Sequence, residues 1–295
     1  MTNQTDKPKL DFLGIGFTKC GSTWVYKCLE EHPEISVSRT KETSFFVNQD
    51  LLARPRDLKY LEKFFEDDGG RIRGEFSPMY ATKEIALKNI KEFYPEVKLL
   101  FILRDPVAKR VSEMIYNHRF DGDMGRVDFD GMIYEKFKDA REQSVYYKHL
   151  KKWFDNFPHQ NIHIMFLEEV KKCPERETER LYDFLGVDTN FKPQVLQKKA
   201  NPAHAFRFPG LQRVLRDSHR RIKKYPRLLV SLKKFSKPFN LKQRILNWNK
   251  KDFQKPKISG RTEKLLFELH KKEIDQLEKL LKKDLSFWKD RSYND

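Results

Sequence analysis

Long apolar runs are missing from this chain of 295 residues, and no stretch approaches a membrane span, which needs roughly 20 apolar residues. Cysteine is scarce. Three residues, an odd count, argue against a disulfide scaffold and for a reducing compartment. The opening segment, Met1 to Phe12, has no apolar centre of a secretory signal, so the expected location is cytoplasmic. Internal repeats and low-complexity tracts are not found either. Zinc-finger spacing, an RNA-recognition aromatic pattern and a helix-turn-helix signal are likewise missing, which counts against a nucleic-acid reader. The G-x-x-x-x-G-K-[ST] loop and a metal-binding carboxylate pattern are absent as well, which disfavours a nucleotide kinase. No metal is expected. Acidic residues are the minority: 43 Asp and Glu face 60 Lys and Arg, for a formal charge of +17 at pH 7. Such a surface attracts polyanions, whether nucleic acid, acidic polysaccharide or a phosphorylated nucleotide.

Aromatic residues are plentiful, with 24 Phe, 11 Tyr and 4 Trp, enough for a large core and against disorder. The run Phe12–Phe17 predicts a short buried strand ending in a glycine-containing turn, followed by a helix through Trp24, Val25 and Leu29 that stops at His32-Pro33. Arg73–Phe76, Val97–Leu103 and Asn161–Phe166 predict further strands, and the apolar continuity of Val97–Leu103 suits a strand covered on both faces. Asp105-Pro106 opens a helix reaching about Phe120, and a helix around Leu181–Leu185 ends at Gly186. Strand-helix alternation over 10–190 predicts an α/β fold with a central parallel sheet. Beyond about 195 the chain becomes basic and helical, and Phe267, Ile274, Leu277 and Leu281 give Arg261–Lys283 one apolar face. A single domain over 1–295 is expected, with 10–190 as an α/β core and 195–295 as a basic helical part.

The first strand runs into Lys19-Cys20-Gly21-Ser22-Thr23-Trp24. A strand, a small-residue turn and a helix start form an anion site, because free N–H groups and the helix dipole converge there. Gly21 allows close backbone approach, Lys19 adds charge, Ser22 and Thr23 add hydroxyls, and Trp24 offers a surface for stacking on a base. An ordinary helix cap by Ser or Thr accounts for the same residues. The segment resembles the 5′-phosphosulfate loop, K-[ST]-G-[ST]-T, of sulfotransferases that use 3′-phosphoadenosine 5′-phosphosulfate (PAPS). Cys20 stands where that family carries Ser or Thr, at a position that mainly offers a backbone N–H.

A second motif, Arg104-Asp105-Pro106 through Ser112, is similar to the family's 3′-phosphate motif, R-[ND]-P-x-x-x-x-x-S, with the same spacing. The resemblance implies that Arg104 and Ser112 grip the 3′-phosphate of the nucleotide, and a guanidinium suits a two-pronged phosphate contact. Read alone, Arg104 is equally a partner for Asp105 and Ser112 a helix-surface serine. Glu30–Ile35, Phe166–Glu169 with Phe184–Gly186, and Asp284–Trp288 resemble scaffold segments of the same family.

The resemblance implies a P-loop-like three-layer α/β fold and a sulfuryl transfer from PAPS without a metal. Lys41-Glu42-Thr43-Ser44-Phe45-Phe46 is similar to the K-E-x-x-F-F segment of the carbohydrate-acting, heparan-sulfate-type and bacterial branch, in which the glutamate is the general base; that role is carried to Glu42. Lys19 is the candidate for stabilising the leaving phosphate. A surface Lys-Glu pair is the plainer meaning of Lys41-Glu42. His118, near the end of the Ser112 helix, ranks below Glu42 as a base, and His32 is expected to be structural. Gly74–Tyr80 looks like the family's G-E-K-[ST]-P-x-Y, but Phe76 stands where many relatives have Lys. The segment 198–207 is the expected closing loop, with Lys199 and Arg207 as phosphate contacts. The acceptor is expected to be a hydroxyl, with an amine second, on a carbohydrate or glycan that the basic charge suits if it is acidic. A small-metabolite or lipid-linked acceptor and a non-catalytic polyanion binder are the alternatives, and nucleic acid is not an expected partner.

Overall fold

The computed structural model describes residues 7–47, 58–66, 69, 71–118, 128–135, 146–197, 204–206, 208, 210, 248, 250–252 and 258–290. The chain divides into two units, one of Met1–Lys109, Arg141–Asn201 and Leu266–Ser292, the other of Arg110–Ala140, Pro202–Leu265 and Tyr293–Asp295.

The first unit opens with β1 (Phe12–Gly14), α1 (Ser22–Glu31), β2 (Ile35–Val37), β3 (Ile72–Phe76), α2 (Glu84–Phe93) and β4 (Lys98–Leu103). All strands of its sheet are parallel, in the order β2-β3-β1-β4-β5, the last being β5 (Ile162–Phe166). The expected parallel α/β arrangement is therefore the one found. Burial explains β4: Leu99 to Leu103 are each at most 1% exposed, so the apolar run has no solvent face to require alternation. β1 ends earlier than its apolar run. Ile15 and Gly16 N–H both donate to the Leu100 carbonyl, at 3.0 and 3.1 Å, and this shared acceptor takes the chain out of the ladder.

The register of β1 on β3 is set by two glycines. Phe12 faces Gly74 and Gly14 faces Phe76. A Cβ at Gly14 would lie 2.2 Å from the Phe76 ring, and one at Gly74 1.9 Å from the Phe12 ring. Each phenylalanine thus occupies the space its partner glycine leaves, and the two rings meet edge-on at 6.4 Å.

After β4 comes α3 (Pro106–His118), whose start is fixed by Asp105: its Oδ1 accepts from the Val107 N–H at 3.0 Å, with Pro106 at the first helical position. The second unit holds the rest of α3 and α4 (Phe129–Glu135). The first unit resumes with α5 (Tyr147–Asn156), then β5, α6 (Leu167–Lys172) and α7 (Pro174–Leu185), which Gly186 ends in the left-handed region at φ 80°. The second unit also contains an antiparallel pair, β6 (His204–Phe206) and β7 (Lys250–Asp252), so the C-terminal part is not helical throughout. Finally α8 (Gly260–Leu281) is capped by Ser259, whose Oγ accepts from Thr262 N–H at 3.3 Å. Within the first unit α8 buries Phe267, Ile274 and Leu277, three of the four positions its periodicity singled out. No described helix is long and apolar enough to cross a membrane.

Candidate active site

The turn between β1 and α1 has the backbone of an anion cradle. Lys19 and Gly21 have positive φ, 63° and 99°. Gly21 is the N-cap of α1, no described side chain caps the helix, and Trp24 N–H donates to the Gly21 carbonyl at 2.9 Å. Ser22 and Thr23 therefore lie inside the first turn instead of capping it, and their N–H groups belong to the set without intrahelical acceptors. A Cβ at Gly21 would come within 2.8 Å of Leu167 Cδ1, so both its φ and its surroundings select glycine. Lys19 and Trp24 are partly exposed, whereas Cys20 is fully buried.

The two motifs meet. Arg104 Nη1 donates to the Lys19 carbonyl at 3.2 Å, across 85 residues of sequence. Its Nε is buried with no hydrogen-bond partner among the described residues. Asp105, the alternative partner, caps α3 instead. The carbonyl of Arg104 accepts from the Tyr146 hydroxyl at 2.9 Å, and the same hydroxyl lies 3.4 Å from Cys20 Sγ. Tyr146 is itself tethered, because its N–H and that of Tyr147 donate to Glu273 Oε1 on α8. Glu168 accepts from Asp105 N–H at 3.2 Å and from Trp288 Nε1 at 3.1 Å. The segments that read only as scaffold thus fix the turn on which Arg104 sits.

The third component is the loop after β2. Lys41 Nζ donates to Ser22 Oγ at 3.3 Å and to Glu42 Oε1 at 2.9 Å, which joins the candidate base to the first turn of α1. Glu42 is exposed, with positive φ at 62°, and its N–H donates to the Phe76 carbonyl at 2.7 Å. Below it lies Glu75, fully buried. Its Oε1 accepts from Ser77 Oγ at 2.5 Å, Thr43 Oγ1 at 2.8 Å and Thr43 N–H at 3.1 Å, while Oε2 has no partner among the described residues. Burial pushes its carboxyl up to about 7, and the hydrogen bonds from Ser77 and Thr43 oppose that rise without cancelling it. A proton on the unpartnered Oε2 fits this arrangement.

A stability test follows. The folded carboxyl titrates near 7 against an ordinary value of 4.5, so between those pH values the folded state binds the extra proton. Its contribution is full below 4.5 and is lost as the pH rises to about 7. Urea unfolding across that range should show a fall in stability with rising pH that Glu75→Gln flattens. Parallel curves for the two proteins would refute the assignment.

The structure thus brings together Lys19, Cys20, Gly21, Ser22, Thr23, Trp24, Glu42 and Arg104. Ser112 and His118 lie on α3 in the second unit. Lys199 and Arg207 lie outside the described residues. His32 is 1% exposed, donates through Nε2 to the Asp188 carbonyl at 3.0 Å and accepts from Glu34 N–H, as a structural residue does. Phe76, 1% exposed, points into the core over Gly14 and supplies no charge to the site. Sequence reasoning missed Tyr146 and Glu273. Both are side chains of common type in unremarkable surroundings, and only the fold joins them. Lys41 was visible as part of its motif, but nothing local marked its reach to Ser22. Among the described residues no cluster of His, Cys, Asp and Glu is arranged to hold a metal.

Comparison with known proteins agrees with this geometry. A profile of the sulfotransferase domain matches residues 9–206, which covers the cradle, the Glu42 loop and the Arg104 turn. The chain is 27% identical over 255 residues to heparan sulfate glucosamine 3-O-sulfotransferase 5 of Mus musculus, covering 79% of this chain and 72% of that protein. It is 25% identical over 182 residues to heparan sulfate glucosamine 3-O-sulfotransferase 3B1 of Homo sapiens, covering 59% and 45%. Its fold matches a crystal structure of a sulfotransferase from Alicyclobacillus acidocaldarius with a TM-score of 0.59 and 21% identity, over 96% of this chain and all of that one. With the domain profile matching residues 9–206, the chain belongs to the PAPS-dependent sulfotransferase family, a family of enzymes, and is related to its heparan-sulfate type.

Proposed function

We propose that the protein transfers the sulfuryl group of PAPS to a hydroxyl of a carbohydrate or glycan acceptor. The observation that carries this reading is the bridge Ser22–Lys41–Glu42, a carboxylate tied to the first turn of an anion cradle. In this reading Lys19 and the N–H groups of Cys20 to Trp24 hold the 5′-phosphosulfate, while Arg104 and Ser112 hold the 3′-phosphate. Lys199 and Arg207 add further phosphate contacts. The orphaned Nε of Arg104 supports the fit, because a buried donor without an acceptor costs about 1–3 kcal/mol and a phosphate oxygen removes that cost. The donor supplies an activated sulfuryl group. Glu42 takes the proton of the attacking hydroxyl, and Lys19 stabilises charge on the departing phosphate.

Two observations support a glycan acceptor. The relatives named above are heparan sulfate glucosamine 3-O-sulfotransferases, and a formal charge of +17 favours a polyanionic glycan over a small neutral alcohol. Calorimetry with 3′-phosphoadenosine 5′-phosphate (PAP), together with labelled PAPS and a panel of heparan-type glycans, tests the proposal. PAP binding and label in the glycan are expected. Failure to bind PAP overturns the nucleotide site, and transfer confined to small hydroxylated compounds overturns the glycan.

A further inference from the structure

The ammonium of Lys41 stands where a cation is costly. Its side chain is 19% exposed and donates to Ser22 Oγ on the first turn of α1, beside the positive end of the helix dipole. Pairing with Glu42 does not explain that placement. The Glu42 side chain is 57% exposed, and an ion pair to so solvated a partner contributes at most about 1 kcal/mol. Nor does the loop need the lysine for its shape. Glu42 N–H is held by the Phe76 carbonyl, Thr43 Oγ1 by Glu75 and Ser44 N–H by Ser77 Oγ at 3.1 Å, none of which involves Lys41. What remains is a fixed cation between the anion cradle and the carboxylate.

We propose that Lys41 is a further catalytic residue, a second lysine that contacts the sulfuryl oxygens during transfer while aiming Glu42 at the acceptor. The inference rests on the sulfotransferase reading above. In the transfer the acceptor oxygen bonds to sulfur as the bond from sulfur to the 5′-phosphate oxygen breaks. The electron pair of that bond stays on the phosphate oxygen, and the acceptor proton passes to Glu42. Lys41 keeps its proton throughout and acts by charge alone, on oxygens that PAP does not possess.

Because PAP lacks those oxygens, comparing it with PAPS isolates the contact. Binding of PAP and of PAPS is measured by calorimetry for wild type, Lys41→Met, Lys41→Gln and Lys41→Arg, with turnover on a heparan-type glycan and thermal melting alongside. Lys41→Met should bind PAP within about twofold of wild type and PAPS about tenfold more weakly, as for loss of one charge-assisted hydrogen bond. Its kcat should fall about 100-fold, in the range for removing one preorganised donor. Lys41→Gln should repeat that split, and Lys41→Arg should restore much of the PAPS affinity. Equal weakening of PAP and PAPS would make Lys41 a builder of the phosphate cradle and overturn the inference, as would no change in either. Wild-type protein that binds neither nucleotide fails the underlying reading instead, and the melting curves identify any variant that is misfolded.

Discussion

Glu42→Gln should abolish most turnover while leaving PAP affinity and melting temperature at their wild-type values. The expected loss in kcat is about 10²–10⁴-fold, the range for removal of a general base. The substitution keeps the size of the side chain and one acceptor oxygen for Lys41 Nζ, and it removes the negative charge together with the ability to take a proton. Folding should not suffer, because the residue is exposed and its unusual backbone is held from outside, by the Phe76 carbonyl accepting from Glu42 N–H at 2.7 Å. Steady-state kinetics on a glycan, with calorimetry on PAP as the control, separates this outcome from a damaged site. Turnover within about threefold of wild type, well short of the effect of losing a general base, would remove Glu42 from the role and make His118→Ala the next variant to measure.

Arg104→Met should cost PAP about 100-fold or more in affinity, close to ~3 kcal/mol. The arginine is half-buried with one nitrogen on the Lys19 carbonyl and another without a partner among the described residues. A guanidinium in that setting binds a phosphate by charge-assisted bonds that methionine cannot replace, although it fills much of the same volume. The loss should depend on the ligand. Adenosine 5′-phosphosulfate, which has no 3′-phosphate, should bind wild type and variant alike, and parallel calorimetric titrations show whether it does. Equal weakening of both ligands would mean that Arg104 acts by holding the Lys19 turn, not by gripping the 3′-phosphate.

Much of this was legible in the sequence where chemistry and local geometry coincide. Gly21 at positive φ, Pro106 opening α3 and the unbroken apolar run of β4 each impose a conformation that neighbouring residues alone can specify. The parallel sheet followed from these, and the pair of nucleotide motifs from the order in which they appear. Long-range partners left no such trace. β2, a three-residue strand at the sheet edge, is too short to show a period. Phe76 read as a deficit of charge, and its positive meaning, a ring seated over Gly14, needs the register of β1 on β3 to be known. Lys41 likewise read as half of a surface pair, because Ser22 is 19 residues away and only the packing of the loop brings it within reach.

The wiring around Arg104 also sets an order of events for the newborn chain. The cradle turn precedes its partners in the chain, and its contact with Arg104 spans 85 residues while the tether of Tyr146 to Glu273 spans 127. A central strand paired on both sides to later strands cannot settle until β4 has been made, and contacts so distant in sequence slow the search. The tether from Glu273 to the residue that steadies the arginine carbonyl forms only once α8 has been made. Until β4 is made, the apolar strand that leads into the cradle lacks a neighbour on one side, and an open strand edge of that kind is prone to wrong pairing.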